Sequence, residues 1–329
     1  MYLFQKLQFS PLALALAIGL LVTTTTAPAQ VANFPNKPIR LVVPYPPGGN
    51  TDVLARVVAQ KLGEVIGQAV VIDNRPGANT LIGTRAALAA PADGYTLLMA
   101  NSTTAALPFI TSIPTGYTLD DFRPIGPMGT VPVVLDISPA LPVKTIAELI
   151  AYGKANPGTL NIGQIGGQTT LVAERFKYLT GLNMVYINYP GAAQALTAVT
   201  GGHIQTFFDG APTSIPLHKG GQIRIIGVGA DKRLEALPDV PTFKEEGLPA
   251  MSINIWYAVA VPGKVPKAIY QKLAAAMAKV LADPEIKSRM RSAGGEPWGG
   301  SLVDFEKFIK QDAQAYKADA IRSGYKLPS

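Results

Sequence analysis

The run Ile39-Arg40-Leu41-Val42-Val43-Pro44-Tyr45-Pro46-Pro47-Gly48-Gly49-Asn50-Thr51-Asp52-Val53-Leu54 decides the fold class. A stretch rich in β-branched and aliphatic residues halts at prolines and paired glycines. Beyond them apolar residues recur with helical spacing at Val53, Leu54, Val57, Val58, Leu62, Val65 and Ile66. Gly67 then stops the helix. A strand over 69–73, a loop at Asn74-Arg75-Pro76-Gly77, an alanine-rich helix over 80–89 and a strand over 95–100 complete a βαβαβ unit. That order predicts a parallel sheet with helices on its faces.

Pro124, Pro127 and Pro132 interrupt the regularity, and the pattern resumes with a strand at 133–137 and a helix at 146–155. A second alternating series follows. Its strands fall at 160–165, 184–189, 204–208 and 223–228, its helices around 170–179, 193–199 and 213–218. A strand at 253–261 precedes helices at 267–281, 285–292 and 303–321. This last stretch is too poor in strands for a third domain and is expected to pack back onto the first lobe, with crossings near 130–133 and 251–256.

The opening glycine step has a counterpart in the second series. Gly48-Gly49-Asn50-Thr51-Asp52-Val53-Leu54-Ala55 is matched by Gly166-Gly167-Gln168-Thr169-Thr170-Leu171-Val172-Ala173, each after a strand and opening a helix. Gly63 and Gly181 stand at equal distance beyond them, which extends the match to the helix ends. Paired glycines let a ligand approach the backbone closely, and the helix start presents N–H groups and a Thr hydroxyl. Such a terminus suits an anion, and in open α/β sheets ligands bind beyond the carboxyl ends of the strands. Either copy alone is explained by turn and capping chemistry, whereas the matched pair points to a clamp for a carboxylate or small diacid.

Other residues reach the same rim. Tyr45 offers an aromatic wall and a hydroxyl, or a core tyrosine; Asn101, Ser102 and Thr103 follow the third strand. Asp209 closes Thr206-Phe207-Phe208-Asp209-Gly210. It would repel an anion, and its open roles are to orient a water, to accept from a ligand hydroxyl or ammonium, or to cap the next helix.

Composition narrows the chemistry. The 329 residues are 48% hydrophobic and 16% charged, with 32 Gly, 28 Pro, two His and no Cys, so thiol nucleophiles, thiolate zinc sites and iron–sulfur ligation are excluded. Neither glycine step carries G-x-x-x-x-G-K-[ST], no G-x-G-x-x-G lies on a strand-to-helix turn, and G-x-S-x-G and H-E-x-x-H are missing. His203 and His218 have no partner set and read as surface or capping residues. No catalytic residue, metal or cofactor is expected. An exported hydrolase would need a nucleophile activated by a nearby base. Lys6, the apolar run 12–22 and Ala27-Pro28-Ala29 form a secretory leader, too short for the roughly 20 residues of a spanning helix. Cleavage near Ala29 would start the mature chain at Gln30 and lower the net charge from +7 to +6 through loss of Lys6. The basic residues are scattered with no stripe, which excludes nucleic acid and favours a small anion.

Three runs carry a resemblance. Pro38-Ile39-Arg40-Leu41-Val42-Val43-Pro44-Tyr45-Pro46-Pro47-Gly48-Gly49-x-Thr51-Asp52, Asn74-Arg75-Pro76-Gly77-Ala78 and Asp93-Gly94-Tyr95-Thr96-Leu97-Leu98 resemble the solute receptors of tripartite tricarboxylate transporters, also called Bug receptors. The likeness continues through Leu237-Pro238-Asp239-Val240-Pro241-Thr242, Trp256, Pro262 and Pro266. It implies a monomeric periplasmic binding protein of type II, two doubly wound α/β lobes with a ligand cleft between them. The implied role is capture of a small carboxylate, without catalysis, for a membrane permease; presentation to a signalling sensor would use the same cleft. The implied division is a leader at 1–29, one lobe at 30–131 with 254–329, and the other at 132–253. The family's binding loops fall on 45–52 and 163–170, which are the two glycine steps. Together with the strand-end and loop residues outside them, the expected ligand set is Tyr45, Pro47, Gly48, Gly49, Thr51, Asp52, Asn101, Thr103, Gly166, Gly167, Gln168, Thr169, Tyr189, Gly191 and Asp209. The chain departs from the family where Leu171-Val172 replaces a His-Leu pair, Asn188-Tyr189-Pro190-Gly191 replaces Pro-Tyr-Lys-Gly, and Asn79-Thr80 replaces a glycine pair. These departures bear on which ligand is bound.

Overall fold

The computed structural model describes residues 33–323, so the expected leader lies outside the described residues. Strand β1 (Ile39–Val43) leads through helix α1 (Asn50–Ile66) to β2 (Val70–Asn74), then through α2 (Leu81–Leu88) to β3 (Thr96–Asn101). β1 pairs in parallel with both β2 and β3. β3 is buried along its whole length, as a central strand covered on both faces must be. On α1 the helical spacing puts Leu54, Ala55, Val58, Ala59 and Leu62 inside. Gly67, at φ 71°, ends this helix by returning its N–H to Gly63 O. Gly63 is therefore interior to the helix rather than its end, a correction to the expected match with Gly181, which does cap its own helix.

Two elements depart from expectation. Helix α3 (Ser102–Ile110) follows β3 with no loop between them. Asn101 caps it, its side chain accepting from the N–H groups of Thr103 and Thr104 while Thr104 Oγ1 accepts from Asn101 N–H. The three prolines do not interrupt the sheet either: β4 (Phe122–Ile137) runs through them. It pairs antiparallel with β9 (Asn254–Pro262) along 122–132, and the register shifts at 124–126 and 127–129 absorb two of the prolines that cannot donate to a ladder.

At Val133 the partners of β4 change. From there to Ile137 it pairs with β7 (Thr206–Gly210), and along 134–137 also with β8 (Arg224–Val228). β5 (Leu160–Gln164) is parallel to β6 (Met184–Asn188) and β7. The sheet order is β2-β1-β3-β9-β4-β7-β5-β6, with β8 and the two-residue β10 (Glu296–Pro297) also on β4. Helices α4 (Ile146–Ala155), α5 (Gly167–Thr180), α6 (Ala192–Thr200) and α7 (Ala211–Lys219) belong to this second half of the sheet.

The C-terminal helices are α8 (Lys267–Ala282), α9 (Pro284–Ser292) and α10 (Leu302–Ser323). α8 packs on α1 and β4, and α10 on α3. Phe305 of α10 sits edge-on to Trp256 of β9, ring centroids 5.4 Å apart, in a core with Leu98 and Ala105. No helix among the described residues is long and apolar enough to cross a membrane, and they contain no cluster able to hold a metal.

Candidate functional site

Both glycine steps open on one small cavity of about 50 Å³ at the carboxyl ends of the strands. The first step contributes Tyr45, Pro46, Gly49, Asn50 and Thr51; the second contributes Ile165, Gly166, Gln168 and Thr169. Asn101 and Thr103 close one side, Ala192 at the start of α6 and Asp209 at the end of β7 another, and Ile255 and Tyr257 of β9 form the floor. The first turns of α1, α5 and α6 thus meet at one place, and their leading N–H groups have no acceptor within their own helices. No Lys, Arg or His lines the cavity.

The first step is shaped by Asp52. Gly48, at φ 87°, donates its N–H to Asp52 Oδ2 at 3.0 Å. Arg56 Nε and Nη2 reach the same carboxylate at 2.9 and 3.0 Å, and Asn74 Nδ2 at 2.9 Å. Burial pushes this carboxyl up, but the bonds from Arg56, Gly48 and Asn74 outweigh it and hold the group below its ordinary value. Asp52 is therefore the brace that fixes the turn. Nearer the cavity, Asn101 Nδ2 donates to the Tyr45 hydroxyl at 3.0 Å and to Thr51 Oγ1 at 3.5 Å. Burial raises the Tyr45 phenol, keeping it a neutral donor.

The second step needs its glycines for conformation and for space. Gly166 has φ 79° and Gly167 φ 61°; a Cβ on Gly166 would lie 1.7 Å from Asn79 Oδ1, and one on Gly167 2.6 Å from Thr103 Oγ1. Gln168 N–H donates to Thr103 Oγ1 at 3.2 Å, and the Thr169 hydroxyl turns back to Gly166 O at 3.0 Å. The Gln168 amide runs away from the cavity to Asn254 O at 3.1 Å and to the Tyr316 hydroxyl. Asn79 lies in a run of three left-handed residues, Ala78, Asn79 and Thr80, with φ of 44°, 53° and 82°. For a β-branched residue such as Thr80 this backbone is strained.

Asp209 is fully buried. Asn50 Nδ2 donates to its Oδ1 at 2.8 Å and the Thr213 hydroxyl to its Oδ2 at 2.5 Å. Burial pushes the carboxyl up to about 7, against the bonds from Thr213, the Gly210 N–H and Asn50. Asp136 on β4 is pushed up too, by burial and then by the charge of Asp209, against a 2.7 Å bond from Ser214.

The model of the tripartite tricarboxylate transporter family receptor matches residues 54–323. The chain belongs to this family. BugT of Bordetella pertussis is 32% identical over 317 residues, 94% of this chain and 97% of its own length. A solved periplasmic transporter superposes with a TM-score of 0.86 at 32% identity, covering 90% of this chain and 100% of that one. Rpa4515 of R. palustris, solved with adipate, gives 0.85 at 32% identity over 89% and 99%. The fold is the α/β architecture of these periplasmic receptors, in agreement with the resemblance read from the sequence. The family is one of solute receptors rather than enzymes, and its members are periplasmic.

Of the expected ligand residues, the cavity brings together Tyr45, Gly49, Thr51, Asn101, Thr103, Gly166, Gln168, Thr169 and Asp209. Pro47, Gly48, Asp52, Gly167, Tyr189 and Gly191 are not among the residues that line it. Gly167 abuts Thr103; Gly191 caps α6 where a Cβ would come within 2.9 Å of Pro46; the Tyr189 N–H bonds Gln164 O at 2.8 Å. Sequence reading passed over Pro46, Asn50, Ile165, Ala192, Ile255 and Tyr257 as lining residues. Strand alternation carries the signal for two of them, because Ile255 and Tyr257 flank Trp256, which faces the Phe305 core. His218, read as a surface or capping residue, accepts the Ile225 N–H on Nδ1 at 3.1 Å.

Proposed function

We propose that the protein is an exported receptor that captures a small carboxylate in this cavity and hands it to a membrane permease of the tripartite tricarboxylate type. One observation carries the reading: the first turns of three helices meet at a buried cavity that offers backbone and hydroxyl donors and no cationic side chain. Aligned peptide dipoles and N–H groups without acceptors in their own helices would hold an anion there without a cationic side chain. The adipate of Rpa4515 supports a carboxylate as the anion. The ligand set is the cavity wall named above, shaped by the bond from Gly48 to Asp52 and by the close contacts of Gly167 with Thr103 and of Gly191 with Pro46.

Two lobes, 30–131 with 254–329 and 132–253, are inferred to enclose the ligand. The change of partners by β4 at Val133 supports a hinge at that point. Export would follow from the leader at 1–29, with cleavage near Ala29, and the mature receptor would act as a monomer without catalysis. The test is a thermal-shift screen over aliphatic and aromatic carboxylates, with calorimetry on every positive. A ligand of the native state at 100 times its Kd stabilises by about 2.7 kcal/mol. A screen in which no carboxylate raises Tm, while a neutral or cationic solute does, overturns the reading.

A further inference from the structure

Among the described residues that line the cavity Asp209 is the one carboxyl, and none is Lys, Arg or His. It is 2% exposed, and its partners are the Asn50 amide, the Thr213 hydroxyl and the Gly210 N–H, all of them neutral. A carboxylate has about four lone-pair sites, so three donors leave room for a proton. The elements around β7 bring no cation to it. β5 and α6 carry no titratable residue; on α5 such residues begin at Glu174, beyond the first turn, and on α7 they are His218 and Lys219 at its far end. On α1 the Asn50 amide reaches Asp209, and the charges of Asp52 and Arg56 are paired with each other. β4 brings Asp136, a second buried carboxyl whose Oδ2 accepts from Ser214 and whose Oδ1 has no partner. β9 brings Tyr257, whose phenol burial keeps neutral.

An anion that enters this cavity therefore meets a carboxyl whose charge nothing offsets, in surroundings of low dielectric constant where like charges repel strongly. Of two carboxyl groups sharing such a site, one holds a proton. The incoming carboxylate faces the first turns of three helices, which favour its ionised form, and Asp209, already raised to about 7 by burial, is the group on which the proton settles. We propose that the carboxylate is bound together with a proton, taken up from solvent by Asp209 as the cavity fills, so that affinity falls as pH rises above neutrality. The protonated carboxyl then donates to an oxygen of the anion that its ionised form would repel. The inference rests on the carboxylate reading and adds the proton to it as a second ligand.

Calorimetry on the wild-type receptor tests it, with adipate, succinate and benzoate, all ionised above pH 7, and with any further positive of the screen. Titration in pairs of buffers that differ in ionisation enthalpy counts the protons exchanged. At least about half a proton should be taken up per carboxylate bound at pH 7.5, and affinity should fall about 10-fold or more between pH 6 and 9, the effect of one pKa unit between free and bound receptor. Asp209→Asn, whose amide is neutral throughout, should bind without uptake and with an affinity that no longer varies with pH; Asp136→Asn should keep the uptake. A wild-type receptor that binds one of these carboxylates with no uptake and a flat pH profile overturns the proton linkage and leaves the carboxylate reading standing. Uptake that survives in a folded Asp209→Asn variant, or that vanishes only in Asp136→Asn, overturns the assignment to Asp209. Should Asp209→Asn fail to fold, the wild-type count and Asp136→Asn decide. Absence of binding by every carboxylate overturns the functional reading and this inference with it.

Discussion

Asp209 gives the fold a dependence on pH whose sign follows from its burial. Its carboxyl rises from the ordinary 3.8 to about 7 in the folded chain. Between those values the folded protein keeps a proton that the unfolded chain has released, so this group's contribution to stability falls as pH rises through the window and levels off above it. Asp312, raised by burial to about 6 while accepting from Trp256 Nε1 at 2.7 Å, acts in the same direction. Asp209→Asn removes the first contribution and keeps the second. Denaturant unfolding at several pH values should therefore show the variant gaining on wild type from pH 4 to 7, by a few kcal/mol at most. Parallel stability curves for the two proteins would count against a buried, raised Asp209. The sequence placed Asp209 at the end of its strand but left its role open, because the deciding partner, Asn50, lies 159 residues away. Asp52 takes its partners from both near and far in the sequence. It sits on the expected binding loop, and its carboxylate accepts from Gly48 N–H, Arg56 and Asn74, of which Asn74 lies 22 residues away.

Helix α5 has left-handed glycines at both ends, and the two ends differ in what surrounds them. Gly167 at φ 61° faces Thr103 Oγ1, whereas Gly181 at φ 69° has nothing within 4 Å of a Cβ. Alanine at either site carries the backbone cost of about 1 kcal/mol, but at Gly167 the added methyl must also push against a short, buried side chain. Gly167→Ala should destabilise by at least about 1 kcal/mol more than Gly181→Ala in chemical denaturation and should also weaken ligand binding. Equal losses would mean that the Thr103 contact yields freely. The same glycines show what was legible at this scale. Period and punctuation gave β1 to β3 with α1 and α2, and the glycine steps located two helix starts. α3 escaped because no turn residue separates it from β3 and Pro108 stands within it. β4 was shortened because its prolines read as breaks, and the register shifts that accommodate two of them depend on β9, more than a hundred residues away. Six of the fifteen residues lining the cavity were read from the two local motifs and three more, Asn101, Thr103 and Asp209, from strand ends beside them; Ala192, Ile255 and Tyr257 come from elements that meet these only in the folded sheet.

In the folded unit the two halves of the sheet are joined by side-chain bonds across the cavity. Asn50 bonds Asp209 and Thr213, and Thr103 accepts from Gln168, so side chains of the first half occupy donors and acceptors of the second. A cavity of about 50 Å³ has room for a few waters, so a ligand the size of adipate enters only if these contacts part. β4, which crosses between the halves, and β9, which pairs only with its first part, are the elements about which parting would occur. A ligand that touches both glycine steps favours the shut form by its differential affinity for that state, and one that reaches a single step shifts the population little. Small-angle scattering should record a fall in radius of gyration when a saturating, calorimetrically proven carboxylate is added. Asn50→Ala removes two bonds of the clasp, worth about 1–3 kcal/mol together, and should raise the ligand-free radius and weaken binding. A radius that neither the ligand nor Asn50→Ala changes would mean that the shut form is held by contacts other than this clasp and that the ligand enters through a preformed opening.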